Sequence, residues 1–323
     1  TPTPTRTPTP TRTPSPTPPS TYTISGRVTD ANGHGIPGVT VWAGFPRATT
    51  TDANGNYTFT GLPAGTYNLR AEKTGYAICP HSRQVTLPPN ASGQNFAGLP
   101  ATVSLGFCPS SDGYKFSNSD PGWGVYPSSP ASGDFTMEDM RRMFGDQAVC
   151  IPPAVPGLPC AYKLSAWTWN GIVNLSMNKG HCAGMAATSL RFFKDIDQPS
   201  DFQAGVTTTF GLDLLGKTRR NIAYYHVEQS ALPILSYRLY QQMSSTPART
   251  LDALLTAMSS GAPDPVMLVL KSGDNQHAVT PIAVEDRGGG LWAVWVYDNE
   301  HPGILTSPVE INTTTNTWRR GAW

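Results

Sequence analysis

Residues 21 to 99 are built from short runs of alternating apolar and polar side chains, each broken by Gly, Pro, Asn or Asp. The runs are YTISGRVTD, GIPGVTVWAGF, GNYTFTGL, GTYNLRAEK and RQVTL. A period of two turns one face of each run to a core and the other to water, as in antiparallel strands. Runs this short, with turns this close together, suit a small β-sandwich and leave no room for a long helix. Asn32-Gly33 and Asn54-Gly55 mark turns, because Gly tolerates positive φ. Asp52, Asn54 and Asn56 are potential calcium ligands, but a tight hairpin turn is the favoured reading. The first run has no Lys to form an intramolecular isopeptide bond.

The flanks differ in character. Residues 1 to 20 contain eight Pro and eight Thr. Pro at this density fixes φ and removes donors, so an extended, polyproline-like linker is expected. Such stalks are typical of exported proteins. The chain starts at Thr1 without Met or a signal peptide, which leads to the expectation of a processed or excised piece. Acids and bases nearly balance, at a formal charge of +1. No basic run alternates with aromatics, so a nucleic-acid partner is not expected. No apolar run reaches the roughly 18 residues of a membrane span.

Residues 100 to 323 bring in helical patterns. Thr136-Met137-Glu138-Asp139 opens MEDMRRMFG in the manner of an acidic capping box. Helices are also predicted over 182–194 and 247–260, and strands over 266–271, 277–285 and 291–298. A helical part followed by a strand-rich part is an α+β arrangement.

The five cysteines are Cys79, Cys108, Cys150, Cys160 and Cys182. In an exported chain most of them pair. Cys150 and Cys160 bracket the loop CIPPAVPGLPC and are the expected disulfide. Cys79 and Cys108 lie near the domain junction and form a second candidate pair. The odd cysteine is Cys182, in NKGHCAGMA, where a Gly-containing turn leads into a helix. Free N–H groups and the helix dipole stabilise a thiolate there. The alternative is a structural cysteine at a helix start.

His277 opens a predicted hairpin whose loop is centred on DRGGG. With Arg287-Gly288 as a two-residue tip, His277 faces Asp298; a one-residue shift would bring Asn299 opposite instead, and Pro281 is a candidate bulge. A carboxylate there orients an imidazole and stabilises its charged form. His181 adjoins Cys182 but points elsewhere on the helix, and is read as a loop or rim residue. His226 is read as core or interface, His301 as a residue of the cleft, and His34 and His81 as exposed. Trp167 and Trp169 either wall a cleft or pack in a core. Trp292 and Trp295 point to opposite faces of a strand. No HExxH or paired CxxC is present, so neither a metal nor another cofactor is expected. GxSxG and Walker patterns are absent.

Two resemblances add to this reading. The segment SGRVTDANGHGIPGVTV through TTDANGNYTFTGLPAGTYNLRAEKTGY resembles the carboxypeptidase regulatory-like, or prealbumin-like, family. That resemblance implies a seven-stranded accessory module rather than a peptidase. Cysteine at a helix start, then HAV entering a strand, then Asp or Asn on the next strand, resembles the papain-like superfamily. The YDNEHPG ending looks closest to bacteriocin-processing peptidases. This likeness implies Cys182 as nucleophile, His277 as base and then acid, and Asp298 as the orienting residue, with Asn299 as the alternative. Papain-like enzymes usually place an oxyanion-hole Gln six residues before the cysteine, where this chain has Ser176. Asn178 is a second candidate for that role. The DMRRMFGD, GHCAGMA and VYDNEHPG blocks also resemble a group of exported bacterial proteins.

The expectation is a multidomain chain: a linker (1–20), a small antiparallel β-sandwich (21–99) and an α+β papain-like domain (100–323). It would be a secreted or cell-surface cysteine peptidase acting on a protein or peptide substrate, with attachment to the cell surface or wall. The alternatives are a transpeptidase or amidase using the same site, and a non-catalytic adhesion or scaffold protein. The stretch 112–133 is a candidate pro-segment over the cleft.

Overall fold

The computed structural model describes residues 21–124, 134–152, 160–259, 266–305 and 307–321. The Thr/Pro-rich segment 1–20 and the inner part of the Cys150–Cys160 loop lie outside them.

The first eight strands are β1 (Tyr22–Thr29), β2 (Thr40–Ala43), β3 (Ala48–Thr50), β4 (Asn56–Leu62), β5 (Gly65–Glu72), β6 (Tyr76–Cys79), β7 (Arg83–Leu87) and β8 (Phe96–Pro100). They form two four-stranded sheets, ordered β4-β1-β8-β6 and β3-β2-β5-β7. Ile24, Val28, Val39, Val41, Leu69 and Phe96 fill the space between them. Two expectations are corrected. There are eight strands rather than seven, and β1 and β8 run parallel, with Val28 opposite Phe96. The long path from β1 to β8 permits a parallel pair, which no hairpin could make.

The two DANG turns use one device. Asp30 Oδ1 accepts from the N–H groups of Asn32 and His34, and Asp52 Oδ1 accepts from those of Asn54 and Asn56. Gly33 and Gly55 take the positive φ that each turn requires. The Asp52 carboxylate thus serves to close its turn.

The second region contains β9 (Val103–Ser104), α1 (Pro109–Asp112), α2 (Met137–Phe144), α3 (Asp146–Val149), α4 (Leu164–Met177), α5 (Cys182–Phe193), α6 (Pro199–Phe202), α7 (Gly216–Glu228), α8 (Leu232–Ser244) and α9 (Pro247–Ser259). It ends in β10 (Leu268–Ser272), β11 (Asn275–Asp286), β12 (Leu291–Tyr297), β13 (Val309–Asn312) and β14 (Thr317–Arg319). The strands pair in chain order, and β9 joins the far half of β11. The protein is therefore multidomain, a β-sandwich-like domain followed by a mixed α/β region.

Thr136 caps α2 through the full capping box with Asp139. On one face of the second sheet, Leu251, Leu254 and Met258 of α9 pack on Val279, Val294 and Val296. On the other, Leu190 of α5 meets Phe107, Ile282, Trp295 and Tyr297. Trp292 belongs to the α9 side, so the two tryptophans do point to opposite faces. Leu99 of the sandwich shares the Leu190 cluster, and a Cys79–Cys108 disulfide joins β6 to the segment before α1. Cys150 and Cys160 form the second disulfide.

The β11–β12 hairpin has a different register from the one predicted. Arg287 and Leu291 close the loop, and Gly288, Gly289 and Gly290 all have positive φ, making a three-residue tip. The register then slips between Pro281 and Ala283, where proline has no N–H to give the ladder.

Helix α5 lies between β11 and α7. Ala183, Ala186 and Ala278 make the contact with the strand. On the opposite side, a Cβ added at Gly184 would collide with the Ile222 carbonyl oxygen and crowd His226. Gly184→Ala is therefore expected to destabilise the protein by about 1–3 kcal/mol, read as a lower urea midpoint. An unchanged midpoint would show that α7 can retreat freely.

Candidate active site

Cys182 is the first residue of α5, and His181 caps that end without a side-chain hydrogen bond. The opening N–H groups of a helix have no partner within it. The sulfur takes hydrogen bonds from the Ala183 and Ala278 N–H groups and from the His277 side chain. Burial alone would push this thiol up, yet these bonds and the His277 charge outweigh it, and the net shift is down. Cys182 is half-buried and is the one cysteine outside a disulfide.

His277 lies on β11 opposite Leu270 and is buried. Its Nε2 sits 2.7 Å from Asp298 Oδ1, which leaves Nδ1 to serve the Cys182 sulfur. Burial would depress this imidazole, but the bonds and charges of Asp298 and Cys182 raise it to about 9. Asp298 follows the end of β12 and is 3% exposed. Burial works against its charge, and His277, the Glu300 N–H and Arg320 overcome that, holding the carboxyl well below its usual range. The changed register thus still brings His277 and Asp298 together, as diagonal rather than direct neighbours.

Arg320 was not foreseen from the sequence. Its Nη2 lies 2.8 Å from Asp298 Oδ2, with both side chains about 5% exposed. Sulfur, imidazole, carboxylate and guanidinium therefore stand in a row in which each group that ionises meets a neighbour of opposite sign. Each ion has a neighbour of opposite sign, which offsets the desolvation that would neutralise an isolated one.

Asn299 is not the imidazole's partner. Its Nδ2 donates to the carbonyl oxygens of Cys182 (3.1 Å) and Ala278 (2.9 Å), lacing the start of α5 to β11. Asn118 braces the same corner, donating its N–H to the Asn299 carbonyl and accepting from the His181 N–H through Oδ1. Its Nδ2 donates to Glu300, as does the Ser119 hydroxyl. No motif in the sequence signals Asn118.

The oxyanion candidates sit on or beside α4. The Ser176 hydroxyl donates to the Val173 carbonyl at 2.7 Å, so its one proton is used within the helix. Asn178 is exposed at the helix C-cap. Trp167 and Trp169 also belong to α4. Trp169 packs against Phe135 and Phe144, and Trp167 is 55% exposed and meets Tyr162 edge-on.

His181 does lie in the turn before α5, but in the interior and not at a rim. It is 4% exposed and stacks on Trp123, with ring centroids 3.7 Å apart. Neither ring nitrogen has a hydrogen-bond partner, and Asp134 is 3.9 Å away, held by Arg219. Burial, with the His226 and Arg219 charges, pushes His181 down to about 3. Burial also pushes His226 down to about 4, against a hydrogen bond to the His181 backbone. The described part of the stretch 112–133 likewise sends its aromatic side chains into the interior. Tyr114, Phe116 and Trp123 pack with Met185, Leu212 and Ile222, which does not suit a removable cover. Residues 125–133 lie outside the described set. His301 is exposed, as is His34, and His81 is half-exposed.

Among the described residues, one cluster has donor atoms close enough for a metal ion, namely His81, Cys108 and Asp112. Cys108 is in a disulfide and has no thiolate to offer. No helix is long and apolar enough to cross a membrane among those residues.

Residues 23–97 match the family model of the carboxypeptidase regulatory-like domain, so the chain carries such a domain on its N-terminal side. That match ends before Cys182, His277 and Asp298. No curated protein matches the chain. Among solved structures, it is similar to a streptococcal ancillary pilin at 16% identity, covering 26% of this chain and 34% of the other, with a TM-score of 0.23. It is also similar to a variant of BcpA, the major pilin subunit of Bacillus cereus, at 18% identity, covering 24% and 29%, with a TM-score of 0.22. A third is the Bacillus anthracis TIE protein, at 15% identity, covering 25% and 17%, with a TM-score of 0.22. This chain thus spans about a third or less of each of those proteins.

Two predictions follow from the charges. Arg320→Met leaves Asp298 buried with one partner fewer, at a cost of about 3–5 kcal/mol. It also removes a cation from the row, so alkylation of Cys182 should require a higher pH, with Arg320→Lys intermediate. An unshifted pH profile for a folded Arg320→Met protein would separate Arg320 from the thiol.

The second concerns pH stability. The unfolded chain protonates His181 and His226 near 6.5, whereas the folded chain resists down to about 3 and about 4. Their contribution is complete above 6.5 and is lost as pH falls toward those values. The His277 contribution has the opposite sign, complete below 6.5 and lost as pH rises through about 9. Urea midpoints should therefore peak near neutral pH, and the acid limb should be shallower in His226→Gln than in wild type.

Proposed function

We propose that this protein is a thiol hydrolase that cleaves peptide bonds through an acyl-thioester on Cys182. The observation that carries the reading is the buried row from the Cys182 sulfur through His277 and Asp298 to Arg320. The Cys182 thiolate attacks the substrate carbonyl carbon, and the C–N bond breaks as the His277 imidazolium protonates the departing amine. Neutral His277 then takes a proton from water, whose oxygen attacks the thioester, and the acid product leaves as the thiolate re-forms. Asp298 orients the ring and stabilises its charged form, and Arg320 keeps Asp298 ionised. Transfer to an amine in place of water would make the same residues a transpeptidase, and hydrolysis of an amide other than a peptide bond an amidase.

The papain-like assignment belongs to this reading. It draws on the order cysteine helix, histidine strand, aspartate after the next strand, and on Asn299 bonding the Cys182 backbone. Two disulfides and the Thr/Pro-rich start favour action outside the reducing cytosol, at the cell surface or in the medium. The sandwich would then serve as a spacer or binding module beside a protein or peptide substrate.

One observation favours a second reading, a surface adhesion or scaffold protein with a silent site. The Ser176 proton is used within its own helix, so it is not free to hold an oxyanion. Loss of one such donor costs about 10²–10³ in turnover.

The test is the rate at which a thiol-directed probe labels the full chain. An activated thiolate reacts well below the pH of a free thiol, and its labelling disappears in Cys182→Ala. It should also lose its neutral-pH advantage in His277→Ala. Labelling of wild type no faster than a free thiol would decide for the scaffold.

A further inference from the structure

Arg238 is a partly buried guanidinium that meets no carboxylate among the described residues. It projects from α8, where Nη1 reaches the Gln229 carbonyl oxygen at 3.4 Å and Nη2 reaches Gln276 Oε1 at 3.2 Å. Both acceptors are neutral and both contacts are long for an N–H···O bond. Other arginines of this region have acids: Arg191 has Asp197, Arg219 has Asp134, Arg220 has Asp139 and Arg320 has Asp298. Among the described residues, no acidic side chain forms an ion pair with Arg238.

Its location gives this a meaning. Gln229 ends α7, the helix packed on the cysteine helix, and Gln276 immediately precedes His277 on β11. The guanidinium therefore spans the two elements that flank the thiol, and its charge interacts with that of the Cys182 sulfur. Burial works against this cation, and among the described residues no carboxylate offsets the water it has lost; only the Cys182 sulfur acts the other way. A carboxylate arriving from outside would supply the missing charge and could accept two parallel N–H bonds from the planar fork.

We propose that Arg238 binds a carboxylate of the substrate, so that the site selects peptides with an acidic group next to the bond that Cys182 attacks. This rests on the thiol-hydrolase reading of the same site. The carboxylate comes either from a Glu or Asp side chain or from a chain end, and both would use the same contact.

The experiment compares alkylation of Cys182, the one free thiol, by iodoacetate and by iodoacetamide in the full chain. The thiolate fraction is common to both reagents and cancels in the ratio of their rates, so the ratio reads attraction of the carboxylate alone. Arg238→Gln should lower the iodoacetate-to-iodoacetamide ratio roughly fivefold at low salt. Arg238→Lys should keep the ratio near that of wild type. An unchanged ratio in Arg238→Gln would overturn the proposal. Two probes then identify the source of the carboxylate: a glutamyl peptide blocked at both ends, and a neutral peptide with a free C-terminus. Protection from iodoacetamide that is lost in Arg238→Gln names the recognised form, and protection by neither peptide counts against the proposal. Slow iodoacetamide labelling of wild type would sink the thiolate reading by itself, while the ratio would still report on Arg238.

Discussion

The close approach of α5 to β11 is the contact on which the rest of the site depends. A thiol at a helix start and an imidazole on a strand can share a proton only if the helix end lies nearly on the sheet. Ala183, Ala186 and Ala278 keep that distance short, and Gly184 allows α7 to press from behind. Asn299 then bonds the Cys182 and Ala278 carbonyl oxygens with one amide, which ties the two elements at the point where the thiol meets the ring. Larger side chains at these positions would part the sulfur from the ring.

Given that contact, the electrostatics follow from alternation. A lone thiolate in this half-buried position would revert to the thiol, and a lone buried carboxylate to the acid. Here the sulfur faces an imidazolium, the imidazolium faces Asp298, and Asp298 faces Arg320. The last residue of the row comes from beyond β14, so the segment after the C-terminal strand helps keep Asp298 ionised. His181 and His226 lie behind the thiol and are held neutral, so neither adds a cation there.

Much of this was legible in the chain itself, and the misses have physical causes. The capping box at Thr136, the helix from Cys182 and the β11–β12 hairpin announce themselves through local chemistry: a side chain that bonds its own backbone, an apolar period, a Gly-rich turn. The hairpin register did not, because three consecutive glycines admit more than one tip and Pro281 shifts the ladder. His181 was misplaced at a rim because nothing near it in sequence reveals the Trp123 ring that covers it. Helices α4, α7 and α8 were missed altogether. Their exposed faces retain Leu164, Trp167, Ile172, Leu175, Leu215 and Leu232, which blur the contrast between a buried and a solvated side.

The sequence alone determined the β-sandwich, the odd cysteine, its pairing with His277 and the candidacy of Asp298. These rest on local periodicity, on turn chemistry and on the parity of cysteines in a disulfide-bonded chain. Only the tertiary structure decided that Asp298 rather than Asn299 meets the imidazole and that Arg320 completes the row. It also decided that Arg238 bridges α7 and β11 with no acid among the described residues to pair with it. Each of these depends on which side chains meet across distant segments, and separation along the chain carries no record of such meetings.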